Sequence, residues 1–169
     1  MENRNAKPFI NIAELDYSDS RQHGDKIAAR IAPIATRIGA GKLGYNMTVV
    51  PPGKKAYPYH AHLVNEEMFF ILEGEGTLRH SGQLWQVKAG DIVCCPVGQE
   101  HPHEVTNTGT VDLKYLAVST MELPEVAFYP DSNKFGVFAG KAPGQTHKDY
   151  DFRIIAKRDV GVDYYEGED

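Results

Sequence analysis

The hydropathy pattern changes character near residue 43. Before it the chain is mostly polar, broken by the short apolar patch "FINIAEL" and by "KIAARIAPIATRIGAGKLG". In the second stretch Ala28, Ala29 and Ala32 favour helix, whereas Pro33 and the glycines 39, 41 and 44 interrupt it, so helix and strand stay open there. From Leu43 onward, short runs of Val, Ile, Thr, Tyr and Phe alternate with turn residues. "LGYNMTVV" reads as a strand stopped by "PPG", and "EMFFILEG" as another. "GTLRH" and "QLWQVK" are strands joined by Ser81-Gly82, a two-residue hairpin signal. "DIVCCP", "HEVTNTG" and "VDLKYLAVST" complete the series. Closely spaced short strands with no long helical period between them predict an all-β sandwich or barrel rather than a doubly wound α/β fold.

Past Thr120 the pattern loosens. "MELPEVAFYPDSNKFGVFAGKAPG" reads as an extended arm with turns at "PDSN" and "APG", "FRIIAKR" as one more strand, and "DVGVDYYEGED" as an acidic, frayed tail. The expected layout is an N-terminal arm and first packing segment over 1–42, a barrel core over 43–120, and a C-terminal extension packing on the barrel over 121–169. Arms carrying "FINI" and "FGVF" need something to pack against, which predicts a homodimer with the arms or an outer sheet face at its interface.

Composition narrows the function classes. The 169 residues suit one domain with extensions. The balance of 18 basic against 23 acidic residues gives a net charge of −5, which argues against a broad nucleic-acid face. No apolar run reaches the ~18 residues of a membrane span, and the N-terminus shows no secretory h-region, so no membrane association is expected. The two cysteines, Cys94 and Cys95, are neighbours, which a structural disulfide disfavours. They read as small buried strand residues in a cytoplasmic protein.

The chemistry concentrates in two segments. In "PYHAHLVNEEMFFILEGEG", His60 and His62 lie two apart and share a face if the segment is extended. Two imidazoles so placed can both reach one metal ion. Strand parity does not choose between Glu66 and Glu67, because both faces of "EMFFIL" are apolar. In "GDIVCCPVGQEHPHEVTNTG", His101 and His103 form a second such pair. His23, His80 and His147 lie outside both segments and read as surface or loop residues.

These two segments resemble the two motifs of the cupin family. Gly53 precedes His60-Ala61-His62 by six residues, one more than the family pattern; four residues lead to Glu67 and six more to Gly74. The distance to Gly74 selects Glu67 over Glu66. In the second segment Gly90, five residues, Pro96-Val97-Gly98, a histidine, three residues and Asn107 follow the family order, with His103 correctly distant from Asn107. His101 instead keeps the usual distance from Gly98, because two extra residues intervene. His103 lies in the strand-like "HEVTN" and His101 in a proline-flanked loop, which favours His103. The resemblance covers about residues 43–120. It implies a cupin-type jelly-roll β-barrel (a double-stranded β-helix) holding a divalent transition metal (Zn, Fe, Mn, Ni or Co) on His60, His62, Glu67 and His103.

The reaction stays open, since one fold hosts many, and no residue is assigned a catalytic role. The chain resembles small single-domain cupins described as sugar-phosphate isomerases. That implies a small sugar-phosphate-like substrate, with Lys54, Lys55, Arg79 and Lys114 as phosphate candidates beside their simpler reading as solvated surface charges. An Fe(II)-dependent dioxygenase and a non-enzymatic small-molecule binding or sensing module are the alternatives. Tyr57, Tyr59, Phe69, Trp85 and Tyr115 line a pocket or, more simply, fill the core; Glu100 and Glu104 have the parity opposite to His103 and are expected outside the barrel.

Overall fold

The β-branched and aromatic runs form strands, because their side chains fit a pleated, half-buried surface. The computed structural model describes residues 7–140 and 150–168. In chain order the strands are β1 (Asp19–His23), β2 (Ile27–Pro33), β3 (Leu43–Val50), β4 (Ala61–His62), β5 (Glu67–Glu73), β6 (Glu75–His80), β7 (Gln83–Lys88), β8 (Ile92–Cys95), β9 (His103–Thr106), β10 (Leu113–Thr120), β11 (Glu125–Tyr129), β12 (Lys134–Ala139) and β13 (Phe152–Lys157). The only helical turns among the described residues are short 3₁₀ pieces at Ile12–Glu14, Ala35–Ile38 and Pro130–Ser132. None is long and apolar enough to cross a membrane.

The strands form an antiparallel jelly roll. A six-stranded sheet runs β1-β2-β3-β10-β5-β8 and faces a three-stranded sheet, β7-β6-β9. A four-stranded sheet, β13-β12-β11-β4, completes the wall. Residues of alternate parity point inward. Val50, Phe69, Ile71, Leu78, Val93, Val105, Leu113 and Tyr115 thereby meet in one buried core between the sheets. The other face of the large sheet is covered by the N-terminal arm, whose Ile10, Leu15 and Tyr17 pack with Ile34, Met47 and Leu116.

The ambiguous stretch after Lys26 resolves as β2 followed by a 3₁₀ turn. Tertiary pairing decides it, because Arg30 to Pro33 align with Val49 to Asn46 of β3. The polar strand β1 gave no hydropathy signal, since "DSRQH" lacks an apolar alternation. The segment after Thr120, read as an extended arm, is instead the hairpin β11–β12, with β13 added at its edge. Its turn is at "PDSN" as read, with Asn133 left-handed at φ 48°. The "APG" turn and His147 lie outside the described residues. Residues 158–168 lie outside the strands and are exposed. Cys95 is buried as read, but Cys94 is exposed, because neighbours in a strand face opposite ways.

Three details hold the barrel's shape. Ser81 and Gly82 both take positive φ, 48° and 79°, the left-handed pair that a tight two-residue hairpin needs. At Gly74, where β5 passes to β6, φ is +79° and a Cβ would meet the Asp112 carbonyl at 2.6 Å, so only glycine fits. Asn107 is fully buried beyond β9. Its amide donates to the Val50 and Val111 carbonyls (2.7 and 2.8 Å), and its oxygen accepts from the Gly109 N–H at 3.0 Å. Truncating it strands two carbonyls and one N–H. Asn107→Ala is therefore expected to lower unfolding free energy in urea by about 2–4 kcal/mol; a change below ~0.5 kcal/mol would show that water replaces the amide.

Candidate metal centre

The two histidine segments come together through backbone pairing. His60 and His103 form an isolated antiparallel bridge, with reciprocal N–H to carbonyl bonds of 3.1 and 2.7 Å. His62 is held by β4, which pairs with Ala127 of β11. Glu67 opens β5, opposite Ser119 of β10 and Cys95 of β8. Each of the three walls therefore contributes at least one side chain. One donor atom from each of His60, His62, Glu67 and His103 lies within 4.8 Å of the others. His103 is fully buried and the other three are partly buried.

The structure places in the cluster the two residues that the family-like spacing favoured, Glu67 and His103. Glu67 faces this cluster, whereas Glu66 is exposed on the outer side of the sheet. His103 stands in the cluster, while His101 lies in the preceding loop, near Glu100 (3.6 Å) and His80. His80, read as a surface residue, is half-buried on β6 and pairs in register with His103. Glu104 turns away from the cluster onto Lys55, as its parity requires. Glu100 is exposed. Tyr57, Phe69 and Tyr115 are in or against the core, and Tyr59 is buried, but Trp85 is more than half exposed.

Hydrogen bonding orients the imidazoles. His60 Nδ1 lies 2.8 Å from the Pro58 carbonyl, and His103 Nδ1 lies 3.3 Å from the His101 carbonyl. A carbonyl only accepts, so each ring carries its proton on Nδ1 and turns an Nε2 lone pair toward the site. His62 makes no such bond and lies between two carboxylates, with Nδ1 3.8 Å from Glu125 and Nε2 3.5 Å from Glu67. Glu125 is itself buried and held by the backbone N–H and side-chain amide of Asn65. Glu67 Oε2 is also 3.1 Å from His103 Nε2.

Such a set conflicts with itself unless a cation joins it. Lone pairs face a carboxylate, and both ring nitrogens of His62 are enclosed without a hydrogen-bond partner. Burial disfavours a charged imidazole at His60, and the neighbouring His62 and His103 add to this, lowering it to about 3. Burial acts the same way on His62, but Glu67 and Glu125 outweigh it and raise it to about 10. Burial also disfavours charge on Glu67, yet the surrounding imidazoles hold its carboxyl well below the usual range. The carboxylates thus favour positive charge at the centre of the cluster. Three imidazoles and a carboxylate at this spacing suit a divalent transition ion.

The phosphate candidates are engaged elsewhere. Lys55 pairs with Glu104, Lys114 with Glu73 at 3.1 Å, and Arg79 with both oxygens of Asp131 at 2.7 and 3.0 Å. Lys54 donates to the Asp25 carbonyl at 2.5 Å. All four are partly buried in these contacts rather than solvated surface charges.

Comparison with known proteins agrees with this architecture. Residues 46–119 match the Cupin domain family. An uncharacterized protein of Methanocaldococcus jannaschii is 38% identical over 71 residues, 42% of this chain and 54% of that one. An oxalate-binding protein of Thermotoga maritima is 38% identical over 69 residues, 41% of this chain and 54% of that one. The chain thus spans about half the length of the curated relatives it matches. A solved sugar phosphate isomerase of the cupin superfamily from Silicibacter pomeroyi superposes with a TM-score of 0.74 at 17% identity, over 94% of this chain and 98% of that one. The two histidine segments and the jelly roll around them thus coincide with the stretch, residues 46–119, that matches the Cupin domain family.

Proposed function

We propose that the chain binds a divalent transition metal through His60, His62, Glu67 and His103, and takes a small polar, sugar-phosphate-like molecule beside it. The observation that carries this reading is the convergence of four donor atoms within 4.8 Å inside the barrel. A bound ion would supply Lewis acidity to a carbonyl or carboxylate oxygen. The chain's own residues supply the setting. Burial raises the phenol of Tyr57, whose ring lies 6.1 Å from that of His60, so it stays protonated and can donate to a ligand oxygen. Phe69 stacks edge-on against His103 at 5.7 Å and keeps water from that side. Glu125 orients His62. The Silicibacter fold relative, named a sugar phosphate isomerase, and the Thermotoga relative, named oxalate-binding, both point to oxygen-rich small molecules.

The test begins with metal content after purification without chelator. Zinc or manganese together with aldose–ketose interconversion supports the isomerase form of the reading. Iron with substrate-dependent oxygen uptake replaces it with a dioxygenase. Retained metal without turnover across a broad panel leaves a binding module. Absence of any divalent ion, even after reconstitution, overturns the metal assignment. Among variants, His103→Ala is expected to weaken metal binding by roughly 100-fold or more, because it removes a ligand outright. His101→Ala is expected to stay within about 3-fold, since its ring is outside the cluster. The reverse order in a competition titration would move the fourth donor to His101.

We also propose a homodimer. Phe152, Ile154 and Ile155 of β13 are exposed, as are Val160, Val162, Tyr164 and Tyr165 beyond it. The strand carries Arg153 and Lys157, next to Arg158, and the tail carries Asp159, Asp163, Glu166 and Glu168. Across a two-fold axis, the acidic tail of one copy matches the basic strand of the other while both cover apolar surface. Light scattering is expected to give twice the chain mass; the mass of a single chain refutes the pairing.

A further inference from the structure

We propose that Arg21, on the inward face of β1, is an anion-recognising residue at the edge of the metal centre, matched to a carboxylate or phosphate group of the bound molecule. The inference rests on the reading of the cluster as a metal site and adds the chemistry of what binds there.

The register of the β1–β2 hairpin sets the orientation. Arg21 pairs with Ala29 and Asp19 with Ile31. Ala29 and Ile31 belong to the buried barrel core, so their cross-strand partners share the inward face. β1 is the last strand of its sheet, which puts Arg21 at the barrel's margin rather than in its sealed interior. Its guanidinium carbon lies 4.6 Å from the centre of the Tyr57 ring, and that ring lies 6.1 Å from His60. Tyr57 is therefore a wall shared between Arg21 and the donor cluster. A groove of about 410 Å³ follows β1 at this point, bounded by Asp19, Arg21, Ala56, Tyr57 and Pro58.

Arg21 differs from the cations singled out in the sequence. Arg79 grips Asp131 through two short bonds, and Lys55 and Lys114 each hold a carboxylate. Among the described residues the one ion-pair partner of Arg21 is Asp19 at 3.6 Å, beyond the ~2.7–2.9 Å of a charge-assisted hydrogen bond. Its planar fork of donors thus remains available for two oxygens of a ligand. The charge also reaches inward. Burial raises both the Tyr57 and Tyr115 phenols, and Arg21 opposes that shift at each. A planar guanidinium beside low-dielectric walls suits carboxylate or phosphate oxygens better than a lysine ammonium would.

The test uses the full chain loaded with Mn(II) and titrated calorimetrically with oxalate and, separately, with inorganic phosphate. Arg21→Gln is expected to leave Mn(II) affinity and thermal unfolding unchanged while weakening the anion by ~10-fold or more, the loss of a bidentate charged contact. Arg21→Lys, which keeps the charge but loses the fork, should fall between. A loss confined to oxalate assigns the position to carboxylates, and one confined to phosphate assigns it to phosphoryl groups. Equal anion affinity in Arg21→Gln, or no binding of either anion to the loaded wild type, overturns the assignment while the metal reading stands. Failure of the wild type to take up Mn(II) overturns both.

Discussion

The site depends on one buried carboxylate. Glu67 projects from the first position of β5 into a barrel whose deeper residues are Phe69, Ile71 and Val93. Leaving an ionised carboxylate there without a partner would cost several kcal/mol. Three imidazoles answer it, and backbone carbonyls fix two of them with Nδ1 protonated. That choice leaves lone pairs aimed at a carboxylate, an arrangement that one positive charge resolves. Glu67 and Glu125 both favour positive charge at His62 and raise its pKa against burial. A divalent ion would meet all four donors at once.

Much of the remaining fold serves to hold those donors in register. The reciprocal bonds between His60 and His103 tie the two halves of the site together directly. Asn107, four residues beyond His103, ties the end of β9 to β3 and to the loop before β10. Behind Glu125, Asn65 also reaches the Glu122 carbonyl, so the support for His62 is anchored in the chain leaving β10. The N-terminal arm covers the outer face of the large sheet, which lets that sheet be apolar on both sides. On β5 that cover reaches Leu72 but leaves Phe70 exposed, so the apolar run "EMFFIL" hides an inward face of Phe69 and Ile71.

The barrel strands were legible because hydropathy and turn chemistry agreed. "LGYNMTVV", "QLWQVK" and the Ser81-Gly82 turn stand where the pattern put them. β1 and the β11–β12 hairpin were not legible as strands. β1 is polar along its length and is a strand only because β2 offers it a partner. The segment after Thr120 mixes prolines and glycines with apolar residues, and pairing with β4 and β13 turns it into sheet. Arg21 was overlooked for the same reason, since nothing in "DSRQH" marks an inward face until the hairpin register is known.

By itself the sequence determined the fold class, the two segments that carry the chemistry and the kinds of donor available. Spacing along the chain sufficed for these, because strand period and turn preference are local properties. The family-like spacing pointed to Glu67 and His103, but only the tertiary structure brings their donor atoms together with those of His60 and His62. It also decided that Lys54, Lys55, Arg79 and Lys114 are bound to other acceptors. Those outcomes depend on what lies across the sheet: a one-residue step along a strand reverses the side chain's face, and only the opposing wall determines which face is the inside.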